Sequence, residues 1–221
     1  IDNNFDQRYL EGYICALTEM KGQLPWKIIE HCGKVIVDDV KNWGLVGYMY
    51  VTQGRWGEAI NWFKRRTNLD QAEGWMLYFY SLAMRETGQW LEAASITREA
   101  FLREPDNYRE DIIVWYTFDQ LIERRPAPLG EMDSIRTDDL AGLSIYPFNL
   151  VNLLIKVQAR SFEVTSTELD ADYRACKNAF GNIKSSAWKR ARKLTRRFMI
   201  DSLQQQGFKR WLWAMKVSQK C

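Results

Sequence analysis

The stretch Trp43-Gly44-Leu45-Val46-Gly47-Tyr48-Met49-Tyr50, with Gly54-Arg55-Trp56-Gly57-Glu58-Ala59 and Phe63 behind it, decides the fold. Thirty-four residues after Gly54 the chain reads Gly88-Gln89-Trp90-Leu91-Glu92-Ala93. A glycine, an aromatic residue two places on and a Glu-Ala pair therefore return in phase. A fixed period over several positions is the signature of a structural repeat. Both glycines stand where the chain turns, and a reversal at a helix end asks for positive φ. Pro105 closes the second period, because proline lacks the amide donor and clashes with the preceding helical turn.

This spacing resembles the tetratricopeptide repeat (TPR) family, most closely over residues 40–107, with repeats at 40–73 and 74–107. The resemblance implies two antiparallel helices per repeat, with small residues where they touch. Those are Gly47 and Ser81 on the first helices and Ala59 and Ala93 on the second, with Tyr50 and Phe63 filling the space around the contact. A partial third repeat starts at 108. Val114, Trp115, Phe118 and Leu121 share one face of a helix from Asp111 to Ile122, but no turn glycine follows. The chain runs instead through Arg124-Arg125-Pro126-Ala127-Pro128-Leu129-Gly130, a loop by composition. Residues 1–39 are expected to form an N-terminal helical hairpin, with Cys15 and Gly22 at the small-residue and turn positions of a degenerate repeat.

The 221 residues hold ten Trp, ten Tyr and ten Phe against five Pro, the composition of a folded chain with a substantial core in one elongated or two compact domains. No run of alternating β-branched residues suggests a strand, so the expected class is all-α. No apolar run is long enough to span a bilayer and no signal peptide is visible, which points to a cytoplasmic protein. The first residue is Ile, so the chain is expected to be an excised domain or a processed product, from which targeting elements can be missing. Cys15, Cys32, Cys176 and Cys221 show no paired spacing and read as reduced thiols.

No constellation calls for catalysis. His31 is the single histidine, and its neighbour Cys32 cannot face it across one helical step. There is no phosphate-binding glycine loop, no GxSxG and no HExxH. With one histidine and unpaired cysteines, a metal site is not expected. The chain therefore reads as a non-enzyme with no cofactor.

In the TPR family the first helix of each repeat lines a concave face. Carried onto this sequence, that face offers Tyr48 from the first repeat, Trp75, Tyr78, Leu82 and Arg85 from the second, and Arg109 and Tyr116 from the broken third. Rings give large contact area with few rotatable bonds, so Tyr48, Trp75, Tyr78 and Tyr116 would hold an apolar or amphipathic partner segment while Arg85 and Arg109 fix its orientation. The family's carboxylate clamp is not expected, since Gly44, Tyr48, Phe79, Arg109 and Ile113 occupy its five positions and four of them mismatch.

The C-terminal region, 146–221, follows a loop at 126–145 and reads as further helices. Pro147 opens a segment with Val151, Leu154, Val157 and Phe162 on a broad apolar face, and Thr165 with Glu168 reads as a capping box before a helix ending at Gly181. Residues 184–221 then carry eleven Lys and Arg against one acid, Asp201, a balance of +10 in a chain of net +3, which leaves −7 for the first 183 residues. Lys189, Arg190, Lys193, Arg196, Arg197, Lys209 and Arg210 form the expected basic surface, opposite a stripe of Ala187, Ala191, Leu194 and Phe198. Three roles stand open for it: a capping helix on the acidic part, a docking surface for nucleic acid or another acidic partner, or an anchor on an anionic membrane with Trp211 and Trp213 at headgroup level.

The expected architecture is thus a TPR-like right-handed α-solenoid, residues 40–125, extended by C-terminal helices. The expected role is a protein–protein interaction scaffold, with nucleic-acid or membrane binding through the basic helices as the alternative.

Overall fold

The computed structural model describes residues 40–65, 69–103, 106–140, 144–158, 174 and 185–205. All secondary structure among them is helical. Their contacts divide into two units, residues 1–107 and 108–221.

The first unit contains α1 (Val40–Thr52), α2 (Trp56–Phe63), α3 (Gly74–Glu86) and α4 (Trp90–Leu102). Helices α1 and α2 pair, α3 and α4 pair, and α3 also packs on both α1 and α2. The first hairpin is clasped by two tryptophans. The Trp62 indole donates to the Trp43 carbonyl at 2.8 Å and the Trp43 indole donates to the Trp62 carbonyl at 3.4 Å. Gly47 lets this happen: a Cβ there would enter the Phe63 ring, which itself packs edge-on against Trp43 and stacks on Tyr80. Ala59, Ser81 and Ala93 are fully buried, as small residues at a close helix contact should be.

Both hairpins turn in the same way. After α1, Gly54 takes φ +69°, its N–H donates to the Val51 carbonyl, and the Arg55 N–H donates to Tyr50. After α3, Gly88 takes φ +87°, with the matching bonds from Gly88 to Arg85 and from Gln89 to Met84. These are Schellman turns, in which a left-handed residue lets two amides satisfy the helix's last carbonyls.

The second unit contains α5 (Arg109–Ile122), α6 (Leu129–Met132), a 3-10 turn (Thr137–Asp139), α7 (Ile145–Gln158) and α8 (Ser186–Gln205). Helices α5, α7 and α8 pack on one another and α6 lies on α5. Val114, Trp115, Phe118 and Leu121 form the buried face of α5, and Val151, Leu154 and Val157 that of α7. Helix α5 ends in a third Schellman turn, with Arg124 donating to Leu121 and Arg125 to Gln120, but here Arg124 takes the left-handed φ of +56°. The turn exists without the glycine. Within 126–145, Met132, Ile135 and Leu140 are buried, so this connection contributes to the core. No helix among the described residues is long and apolar enough to cross a membrane. The expectations for residues 1–39, Pro105, Phe162, the 165–181 helix, all four cysteines, His31, Lys209, Arg210, Trp211 and Trp213 lie outside the described residues.

Candidate partner-binding surfaces

Phe79, on α3, gathers the aromatic residues of the first unit. The Tyr48 ring stands 4.6 Å from it, Tyr78 5.0 Å and Trp75 6.4 Å. Tyr48 and Trp75 are half-buried, so each keeps a ring surface outside. Tyr78 is only 1% exposed, and Leu82 is buried as well. Their truncation would act on folding. Of the residues expected to line a groove in this unit, Tyr48 and Trp75 are therefore the ones that can present rings to a ligand.

Beside Trp75 lies a cleft of about 510 Å³ lined by Asp70, Glu73, Glu99, Arg103 and Asp106 together with the indole. The Trp75 indole donates to Glu73 at 2.7 Å. Arg103 is committed to structure: its guanidinium donates to the carbonyls of Leu69, Asp70 and Ala72 and pairs with Glu99 at 2.9 Å. It thereby fastens the α2–α3 connection to the end of α4. The charge left on the cleft wall is negative.

Arg85 corrects the sequence expectation. It is fully buried, its Nη2 donates to Thr97 Oγ1 at 2.9 Å, and its guanidinium lies 4.9 Å from the Trp90 ring centre. It joins α3 to α4 and so cannot fix a ligand's orientation. The reason is visible by register. Thr97 stands thirty-four residues after Phe63, so a hydroxyl replaces a ring at that contact, and a long cationic side chain closes on it. Arg109 and Tyr116 fall in the second unit. Arg109 is exposed and pairs with Glu131 at 3.2 Å, linking α5 to α6, and Tyr116 is half-buried.

Helix α8 is capped by Ser185, whose Oγ accepts from the Trp188 N–H at 3.1 Å. Ala187, Trp188, Ala191, Thr195, Phe198 and Met199 are buried. Trp188 packs edge-on to Tyr146 at 4.8 Å and lies 6.0 Å from Trp115. Leu194, expected in this stripe, is half-buried, while Trp188 takes a place in it that the spacing did not assign. Lys189, Arg190, Lys193 and Arg197 are exposed together, and Arg196 is half-buried at their flank.

Sequence reading missed Phe79 as the centre of the aromatic edge, and it missed the acidic cleft. Glu73 directly before Gly74-Trp75 was the available signal, since a carboxylate two residues from an indole can accept its N–H. No family model, curated protein or solved structure matches the chain.

Proposed function

We propose that the chain is a non-catalytic, cytoplasmic protein-interaction scaffold whose first unit is a pair of TPR-like hairpins of a right-handed solenoid. One observation carries the reading: two partly exposed rings, Tyr48 and Trp75, joined through Phe79, with an acidic cleft beside Trp75. Rings flanked by carboxylates suit an amphipathic segment with Lys or Arg beside its apolar anchors. The guanidinium or ammonium gains from the carboxylates and from the indole face.

Panning a peptide library on the immobilised chain tests this. The wild type should enrich amphipathic peptides carrying basic residues. Trp75→Ala and Glu73→Lys should each lose them by tenfold or more while both variants remain folded with wild-type helicity, since neither position is in the core. Enrichment of acidic peptides, or enrichment indifferent to both changes, would contradict the proposal.

A further inference from the structure

Helix α8 carries six Lys and Arg against one acid, and packing sorts them. Its apolar stripe is buried against α5 and α7, so Lys189, Arg190, Lys193 and Arg197 stand exposed while Arg192 and Arg196 are half-buried. Lys189, Lys193 and Arg197 follow one another at four-residue intervals, about 6 Å of rise per step. Asp201 reaches only the last of them, at 4.0 Å from Arg197.

We infer that this face binds the phosphate backbone of a nucleic-acid double helix, independently of base sequence. Three observations choose that occupant. A membrane-surface helix must bury its own apolar face in the acyl boundary, and the apolar face of α8 is already inside the protein. Binding of single strands draws on rings that stack with bases, and the rings of this helix, Trp188 and Phe198, are buried. The exposed cations form a regular row, with the half-buried Leu194 at its edge, which suits a regular row of phosphates better than an irregular acidic peptide. Arg190 and Arg197 can each grip a phosphate with two parallel N–H donors, while Lys189 and Lys193 act as point charges.

The test is fluorescence anisotropy of a labelled 20-base-pair duplex titrated with the full chain at several salt concentrations. Four phosphate contacts predict a slope of log affinity on log salt of about −3.6, hence a loss of about 100-fold between 50 and 200 mM. A mixed-sequence duplex should bind as well as any other. Changing Lys189, Arg190, Lys193 and Arg197 together to Gln should weaken binding at least about tenfold and flatten the slope. Lys193→Glu alone should weaken it too, whereas Arg98→Gln and Lys64→Gln, exposed on the first unit, should not. Circular dichroism of every variant should match the wild type. Binding unchanged in the quadruple variant overturns the inference. So does equal or tighter binding to phosphatidylserine vesicles, to polyglutamate or to single strands at the same salt.

Discussion

Gly88 sits at φ +87° with open space where a Cβ would stand. Gly88→Ala therefore isolates backbone strain, and a left-handed non-glycine residue costs about 1–2 kcal/mol. Gly54, at φ +69°, should behave alike. Gly47→Ala differs in kind, because its Cβ would enter a Phe63 ring held at 5.3 Å from Trp43 and 5.1 Å from Tyr80. Overpacking there should cost about 2–3 kcal/mol, so urea midpoints should rank Gly47→Ala below both turn variants. Tyr80 adds a pH dependence. Burial pushes its phenol above the ordinary 10.0, so the folded state holds the proton more firmly than the unfolded chain. That stability is complete below pH 10.0 and is lost as pH rises through the ordinary value toward the raised one. Tyr80→Phe should melt less steeply against pH in the alkaline range than the wild type.

At the scale of the helix, the sequence made the hairpins of the first unit legible because period and turn chemistry agreed. The glycines stood where positive φ was needed, and Ala59, Ala93 and Gly47 stood where helices touch. The core of α5 was legible too, from the spacing of Val114, Trp115, Phe118 and Leu121. Its turn was not, because Arg124 adopts the left-handed conformation without a glycine to announce it. Its guanidinium lies 5.5 Å from the Phe198 ring centre, a tertiary contact that a local pattern does not contain. The inward course of Arg85 was hidden for the same reason, since it depends on Thr97 and Trp90 on another helix. Arg85→Ala should cost about 3 kcal/mol by removing a buried stem and its bond to Thr97. Arg85→Met should stay within about 1 kcal/mol of the wild type, because the stem still packs and Thr97 keeps its bond to the Ala93 carbonyl at 2.9 Å. Thermal melts of the two variants separate packing from charge.

At the scale of the molecule, the charge is divided. Residues 184–221 carry +10 and the first 183 carry −7, and an acidic cleft in one unit and a cationic helix face in the other give this a structural form. The aromatic edge beside the cleft was half legible in sequence: Tyr48 and Trp75 keep outside surfaces, while Tyr78 and Leu82 on the same helical register are core. The family resemblance assigned all four, from α1 and α3, to one concave face but could not say how deeply each is covered.

The proposed scaffold role is tested most directly by nitrogen-proton NMR shift mapping with a panned basic amphipathic peptide. The account predicts that the Trp75 indole N–H and the amides around Glu73 and Tyr48 move with peptide, while Lys189 to Arg197 stay still. Shifts confined to α8, or to the outer side of α4 around the exposed Leu91 and Leu102, would contradict it.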